Sequence, residues 1–302
     1  MWFKNLRIYR FTALPTINSE QLNESLKARP FLRCGSHDEF SFGFINPAKD
    51  DAPSMIHVAG QYVAFCGKKE ERILPSSAVN EELAKRFKDI EEREARKLPA
   101  KERNRIKDEL IFELLPRALT KSSKTHAYIS ENGFLIVDSS SAKKSEDLLR
   151  QLRKCLGSLP VVPLPVKNKP YSVMTQWLTF TESNHHQSFT LEDECELRSP
   201  EDGGPVIRCK RQDLSLPEIK NHLDNGLQVH KLALTWRDRI SLTIDADLAI
   251  KRVKFLDLVQ EKAAEIEAEN EIKLFGADFT IMTGEITAML SDLIEAFGGI
   301  PD

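Results

Sequence analysis

Alternation of apolar and polar residues predicts a strand-rich N-terminal part of the chain. Residues 40–45, "FSFGFI", alternate with a period of two, and residues 2–11 are rich in aromatic and β-branched side chains. Residues 54–74 predict a hairpin that turns at "AGQ" and continues into a further strand. Between these strands, Ser19 precedes a short pattern with two leucines four residues apart, which predicts a helix capped by this serine.

A different spacing follows between residues 77 and 120. Apolar residues recur every three or four positions on both sides of Pro99, at Val79, Leu83, Phe87, Ile90, Ile106, Leu110 and Leu114. Proline is tolerated in the first turn of a helix but not in its interior, so Pro99 is expected to end one helix and start the next. The pattern predicts a helical hairpin arm with its base packed on the body. The Pro99 end has too few apolar residues to be buried and is expected to project into water.

Strands and helices alternate in the remaining sequence. A hairpin is predicted to turn at Asn132-Gly133, and a helix with serines at its start is predicted to end at Gly157. The fold class is α+β, with mixed, mostly antiparallel sheets and a protruding helical hairpin arm. We divide the chain into a β-rich part of the body (1–76), the arm (77–120), a central body with a basic helix (121–165) and an α+β part (166–302).

Bulk composition is that of a globular protein. Of the 302 residues, 41% are hydrophobic and 29% are charged. No apolar run approaches the length of a membrane span, and the N-terminus lacks the pattern of a secretory signal. The five cysteines are scattered, which is typical of free thiols in a reducing compartment. We therefore expect a cytoplasmic protein.

Charge is segregated along the chain, although the net charge is only −3. Residues 96–124 hold nine Lys or Arg against four Asp or Glu, and residues 143–169 hold seven against two. Residues 257–302 hold two against eleven. Segregated charge describes the partners of a protein more than its fold, and here the basic segments favour contact with phosphates.

Basic residues fall on shared faces of the predicted elements. In the helix of the central body, Lys143, Arg150 and Lys154 lie opposite a stripe of leucines. The alternative for this helix is a solvated face with an ion pair between Lys143 and Asp147. No helix-turn-helix, zinc-finger or RNP-type aromatic strand pattern is found, so contact with the nucleic-acid backbone is expected, with little base readout. The candidate contacts are Arg96, Lys97, Arg117, Lys121, Lys143, Lys144, Arg150, Lys154, Lys210, Arg211, Gln212, Lys251 and Arg252.

No catalytic constellation is found in the sequence. Cys34 and His37 have ligand-like spacing, but no second pair completes a zinc site, and His185-His186 lie in a polar segment typical of solvated loops. Asp245 and Asp247 could hold a magnesium ion, as a nuclease requires. However, "TIDADLAI" favours a tight turn between two strands. We predict no enzymatic activity, no cofactor and no metal, and keep a magnesium-dependent nuclease as an alternative.

Several segments carry a resemblance to a known family. They are "ILPSS", "LLPRA", the long block "SSSAKKSEDLLRQLRKCLGSLPVVPL", "EDGG" with "IRCKRQDL", "KLALTW" and "ADFTIMTGE". Together with "WFKNL" near the N-terminus and "LIEAFGG" near the C-terminus, they cover essentially the whole chain. In these segments the sequence closely resembles the bacterial recombination-associated RdgC family.

The resemblance implies a non-enzymatic, nucleoid-associated protein that binds single- and double-stranded DNA without sequence preference and restrains the RecA recombinase. It also implies a ring-shaped homodimer that encircles DNA and closes at the tips of the arms and at an opposite base. On this basis the gate between subunits is assigned to Leu114, Leu115 and Leu119, with Arg117 facing the hole.

This assignment has one structural alternative and one departure from the family pattern. Leu114 and Leu115 could pack against their own core instead, and the family usually has phenylalanine at the position of Leu119, so an aromatic contact is lost. A further functional alternative is a protein-interaction module whose acidic C-terminal segment binds the recombinase directly.

Overall fold

The computed structural model of the chain describes residues 1–13, 18–179, 187–264 and 270–301. The predicted α+β class is confirmed, because these residues form two antiparallel sheets with helices packed around them. In the first sheet the strand order is β2-β4-β5-β6-β1-β7, and β3 pairs with β4. Its strands are β1 (Arg7–Phe11), β2 (Phe40–Ile45), β3 (Ile56–Ala59), β4 (Tyr62–Ile73), β5 (Leu119–Ser130), β6 (Phe134–Val137) and β7 (Val161–Pro163).

Two helices cover one face of the first sheet, α1 (Ser19–Lys27) and α4 (Ala142–Leu156). Their buried leucines pack against Phe65 and Ala127 of the sheet. As predicted, α4 begins after a serine cap, Ser141, and ends at Gly157, whose φ is 78°. The cap of α1 is Asn18, whose side chain accepts the N–H of Glu20, so the assignment of the cap to Ser19 was wrong.

The second sheet has the order β12-β11-β10-β8-β9. It consists of β8 (Phe189–Arg198), β9 (Val206–Lys210), β10 (Gln228–Trp236), β11 (Ile240–Asp245) and β12 (Ile250–Phe255). The remaining helices of the body are α5 (Pro170–Thr179), α6 (Pro217–Asp224), α7 (Asp257–Ala264) and α8 (Glu271–Ala296). No described helix combines the length and the apolar character that a membrane crossing requires.

A single large core joins the two sheets. Phe279, Met282 and Ile286 of α8 are buried there together with Tyr128 of the first sheet and Trp236 of the second. A bridge between Leu6 and Ile250 adds backbone hydrogen bonds between the two parts of the body. Burial of these apolar side chains is the main driving force for holding the sheets together.

The predicted helical hairpin arm is confirmed as α2 (Ser76–Glu94) and α3 (Ala100–Leu114). Its small core consists of Val79, Leu83, Leu98, Ile106 and Leu110. Pro99 precedes α3 as expected, but α2 ends five residues earlier than predicted. The chain leaves α2 at Ala95 in a left-handed conformation with φ 52°.

The segment "LLPRAL" lies at the root of the arm, where α3 returns to the first sheet, and not at its far end. Leu115 begins a 3-10 turn (Leu115–Arg117) and is only 4% exposed. Leu114 packs on the core of the arm. Leu119 opens β5 opposite Ile73 and is 79% exposed. The prediction that Leu115 meets a second subunit is therefore corrected, because its side chain is buried within its own chain.

One arginine ties the arm to the sheet. Arg72 of β4 donates hydrogen bonds to the carbonyl oxygens of Leu115 at 2.8 Å, Ala118 at 3.1 Å and Gly35 at 3.0 Å. Charged donors form stronger hydrogen bonds than neutral ones. The end of α3 and the loop before β2 are thus anchored on the same strand.

Candidate nucleic-acid interface

The outer part of the first sheet forms a stem that carries the arm. We define the stem as β2 with residues 67–73 of β4 and 119–125 of β5. Directly paired residues of antiparallel strands project to the same face, so the register arranges side chains in rows across the stem. Going inward, the rows on one face are Ile73–Leu119, then Phe40–Glu71–Lys121, then Phe42–Lys69–Ser123, then Phe44–Gly67–Thr125.

The N-terminal end of α4 lies beside these rows. Lys143 and Lys144 line one cavity together with Lys69 and Ser123. A Cβ atom on Gly67 would lie 2.6 Å from Leu148 of α4, so the glycine permits this close approach. A neighbouring cavity shares Lys69 with the first and reaches Lys107 of α3. We call this continuous surface the stem groove. Its charged members are Glu39, Lys69, Glu71, Arg72, Lys107, Lys143, Lys144 and Asp147, together with Lys121 in the row of Glu71.

Most lysines of the stem groove are not committed to acidic partners. Among the described residues, Lys107, Lys121 and Lys143 form no ion pair, and Lys144 donates to the carbonyl oxygen of Lys124 at 3.1 Å. Lys69 pairs with Glu71 at 2.8 Å, and this hydrogen bond lowers the pKa of Glu71. An unpaired ammonium group can contact a phosphate without first breaking an internal ion pair.

A second group of cations lies on the second sheet, around Glu196 of β8. The carboxylate of Glu196 is 5% exposed and accepts Arg198 at 2.6 Å, Arg208 at 2.9 Å and Lys231 at 2.8 Å. Burial alone would raise the pKa of Glu196. The hydrogen bonds from Lys231, Arg208 and Arg198 outweigh burial and lower the pKa to about 2. The carboxylate is therefore ionised at neutral pH.

A bulge in β12, an edge strand of the second sheet, brings Arg252 to this group of cations. The strand β12 contains Arg252 in a left-handed conformation with φ 54°, next to a register shift against β11. Its guanidinium reaches Thr243 of β11 and Glu194 of β8, at 2.7 and 2.8 Å. Lys210 of β9 lines the same cavity as Glu194. We call this surface the sheet patch: Glu194, Glu196, Arg198, Arg208, Lys210, Lys231, Lys251 and Arg252.

Six of the predicted contact residues lie on these surfaces, Lys121, Lys143 and Lys144 in the stem groove and Lys210, Lys251 and Arg252 in the sheet patch, and the others lie outside both. At the far end of the arm, Arg96 pairs with Glu94 and Glu102, and Lys97 pairs with Glu91. The N–H of Leu98 and then Lys97 and Arg103 lower the pKa of Glu91 to about 2. Arg96, Lys97 and Arg103 at the turn of the arm are thus already paired with acids.

The other predicted residues fall into two sets. On α4, Arg150 pairs with Asp147, which replaces the considered pair between Lys143 and Asp147. Lys251 pairs with Asp245 at 2.6 Å. The exposed members without an ion pair in the described structure are Lys121, Lys143, Lys154, Arg117, Lys210 and Arg211, while the N–H of Gln212 binds the carbonyl oxygen of Asp193 at 3.3 Å.

Sequence reasoning missed Lys69, Lys107, Glu196 and Lys231. The signal for Lys69 was present, because "FSFGFI" and "GKKEE" are both strands with a period of two. Their register was not available from the pattern, so the row that joins Phe42 to Lys69 could not be assigned.

The aspartates considered for magnesium form a turn between β11 and β12, and the turn interpretation is confirmed. One oxygen of Asp245 accepts the N–H groups of Asp247 and Ala249, both at 3.0 Å, and the other binds Lys251. Within the described ranges, no cluster of three or more His, Cys, Asp or Glu has the arrangement of a metal site. The ring of His37 stacks on Phe112 at 4.2 Å, and His185-His186 lie outside the described residues.

Together these features define an α+β protein with a helical arm that groups cations on two separate surfaces. A family model described as "Putative exonuclease, RdgC" matches residues 1–300. The chain is 44% identical over 300 residues to the recombination-associated protein RdgC of Psychromonas ingrahamii and to that of Aeromonas hydrophila. These alignments cover 99% of this chain and 99% and 98% of the respective relatives.

The relative from Pseudomonas entomophila bears the same name and is 43% identical over 303 residues, with 99% of this chain and 98% of the relative covered. The chain belongs to the RdgC family.

Proposed function

We propose that the protein is a non-enzymatic DNA-binding protein that contacts backbone phosphates of single and double strands without reading sequence. The observation that carries the proposal is the stem groove, where unpaired lysines from β5, α3 and α4 converge on one surface. A chain with net charge −3 needs such grouping to attract a polyanion. The sheet patch adds a second cationic surface, partly neutralised by Glu194 and Glu196.

Salt dependence tests this proposal directly. Each phosphate neutralised by a cation releases counterions, so the logarithm of affinity falls linearly with the logarithm of salt, with a slope of roughly −0.9 per contact on duplex DNA. Engagement of three to five lysines predicts a slope of about −3 to −5. Equal affinity for several unrelated sequences is expected. A flat salt response, or strong preference for one sequence, would refute the proposal.

Charge-reversal variants test which surface of the protein the DNA contacts. Lys143→Glu places an acid in the stem groove and should weaken duplex and single-strand binding roughly tenfold and flatten the salt slope. Lys154→Glu makes the same change on the same helix about 16 Å further along, and shows whether the path follows the exposed face of α4. Lys27→Glu, on α1, is the matched control and should leave binding unchanged. Unchanged binding for Lys143→Glu would move the path away from the stem groove.

The proposal extends to a ring-shaped homodimer that encircles DNA, associates with the nucleoid and restrains RecA by occupying DNA. The family relationship and the exposed pair Leu119 and Ile73 at the end of the stem support this extension. Two-fold contacts pair a patch with itself, so each apolar residue there is used twice. Leu119→Asp should reduce dimer mass in sedimentation and retention on closed circular DNA. Leu258→Asp makes the same change at another exposed leucine, on α7, and is the control that should change neither.

The family model's description favours one other activity, an exonuclease. A magnesium-dependent reaction at Asp245 and Asp247 would have to recruit a carboxylate that already accepts two N–H groups and a lysine. Linear duplex incubated with the protein and magnesium tests this directly. End-labelled DNA that stays intact supports the non-enzymatic proposal, and progressive shortening lost in Asp245→Asn would replace it.

A further inference from the structure

An aromatic ring stands exposed within the stem groove. Phe40 opens β2 and is 54% exposed, whereas its neighbour on the same face, Phe44, is 1% exposed. Between them Phe42 is half-buried and packs edge-to-face on Phe44. Single exposed apolar residues are common on protein surfaces, so the role of Phe40 depends on the groups that surround it.

The groups around Phe40 are those that a nucleotide requires. The ammonium group of Lys69 lies 5.1 Å from the centre of the ring. Lys121 occupies the same row of the stem, two strands away, and Lys107 lines the same cavity as Phe40. Glu39 and Glu71 line this cavity as well, so the cations are partly offset. A flat apolar ring with cations in its row and its cavity offers a stacking surface and phosphate partners together.

We propose that Phe40 is a stacking site for an unpaired base of single-stranded DNA held in the stem groove. The inference rests on the proposed function and adds to it a position that distinguishes single strands from duplexes. In a duplex both faces of each base are covered by its neighbours, so a ring on a sheet surface can reach backbone but cannot stack. Stacking tolerates every base, which agrees with binding that does not depend on sequence.

The sequence pattern around Phe40 did not indicate this role, because the alternation in "FSFGFI" predicts only a strand. The register places Phe40 opposite Glu71 and beside Lys69, so a core strand ends as a cation-lined aromatic surface. The charge of the groove selects a polyanion over a neutral or acidic protein as its occupant.

Three variants test the inference at fixed salt. Phe40→Ala should weaken binding of an oligothymidylate roughly 5- to 150-fold, the range for loss of one stacked base, and leave duplex affinity within about twofold. Phe40→Trp should keep single-strand affinity, because a larger ring stacks at least as well. Val58→Ala removes a comparably exposed apolar side chain on β3 and is the control, expected to change neither affinity.

Fluorescence of the Phe40→Trp variant reports stacking itself. Trp177 and Trp236 are each 2% exposed, so the new indole is the accessible one apart from the half-buried Trp2. Oligothymidylate should quench the added emission, and an abasic strand of equal length, with the same phosphates, should not. The parent protein, titrated in parallel, corrects for any change at Trp2.

Each possible result of these experiments either supports or overturns the stacking site at Phe40. The inference would be overturned if Phe40→Ala lost no single-strand affinity, or lost affinity equally for single strands and duplexes. Quenching of the Phe40→Trp emission by the abasic strand would also overturn it. So would a change in dimer mass, which would mark Phe40 as a contact between two copies of the chain. If Phe40→Ala folds poorly, the comparison of quenching by oligothymidylate and by the abasic strand still tests the inference. Failure of the proposed function is recognised earlier, because the unmodified protein would then show no salt-dependent binding to either form.

Discussion

Replacing Glu196 with glutamine removes the negative charge that three cations of the sheet patch share. The pKa of this carboxyl is lowered from 4.5 to about 2, because hydrogen bonds from Lys231, Arg208 and Arg198 outweigh the opposing effect of burial. Since one pKa unit corresponds to about 1.4 kcal/mol, the ceiling on its contribution to stability is roughly 3 kcal/mol. The three cations are 35–66% exposed, so water screens part of this interaction. We expect Glu196→Gln to lower the free energy of unfolding by about 1–3 kcal/mol at pH 7.

The loss should depend on pH in a defined direction. The carboxyl has a lower pKa in the folded state than in the unfolded state, so its stabilisation is complete above pH 5 and is lost as pH falls towards 2. The difference between the parent protein and Glu196→Gln should therefore be largest at pH 7 and narrow below pH 5.

Urea unfolding followed by circular dichroism at pH 7, 5 and 4 measures this difference. Glu201→Gln is the control: its side chain is exposed and makes no ion pair among the described residues, so it should change stability by less than about 0.5 kcal/mol. Equal stability of Glu196→Gln and the parent protein at pH 7 would refute the argument. A deficit that stays constant from pH 7 to pH 4 would show that shape, and not charge, is responsible.

Three further predictions concern packing, protonation and thiol access. Gly43→Ala should destabilise by roughly 1–3 kcal/mol or more in urea, because the new Cβ would lie 2.3 Å from the Cα of Phe31; Gly284→Ala, with open space in α8, should instead gain up to about 1 kcal/mol. Burial lowers the pKa of His126 to about 4, so the unfolded state takes up its proton first, and stability should fall by up to about 3 kcal/mol between pH 6.5 and 4. His126→Gln should flatten that part of the pH profile. Cys66 is fully buried and burial raises its pKa to about 12, so iodoacetamide at pH 8 should modify half-exposed Cys34 and spare Cys66 until urea is added.

Each of these three predictions has a result that would contradict it. Equal stability of Gly43→Ala and Gly284→Ala would mean that the loop at Phe31 yields without cost. A pH profile of His126→Gln that matches the parent protein would assign the acid sensitivity to other groups. Early alkylation of Cys66, read by peptide mass, would show that the strand pair around it opens in the native state.

Local patterns predicted much of this fold because the elements concerned are specified by nearby residues. The arm follows from an apolar spacing of three and four, and the turn at Asp245 follows from acidic residues between two β-branched runs. Capping depends on a finer choice: Asn18 and Ser19 are both good caps, and only the backbone decides between them. The end of α2 at Ala95 was equally difficult to predict, because alanine rarely adopts the left-handed conformation that ends a helix.

The candidate surfaces were harder to predict because they depend on register. Glu196 meets cations from its own strand, from β9 and from β10, and no spacing within one segment indicates that meeting. The role of Arg252 depends on a bulge, which shifts side chains relative to simple alternation. Leu115 and Leu119 are four residues apart, but Leu115 is 4% exposed and Leu119 is 79% exposed, because the chain passes from a helical turn to a strand edge between them.

The three carbonyl groups held by Arg72 have a mechanical consequence. Leu115 and Ala118 flank the connection from α3 to β5, and Gly35 belongs to the loop that leads into β2, so one guanidinium holds two separate segments of the chain on β4. The arm therefore cannot rotate at its base relative to the first sheet without breaking these charged hydrogen bonds. In the ring proposed above, admission of a covalently closed circle would then require the two subunits to separate, with each arm moving as a rigid extension of its sheet.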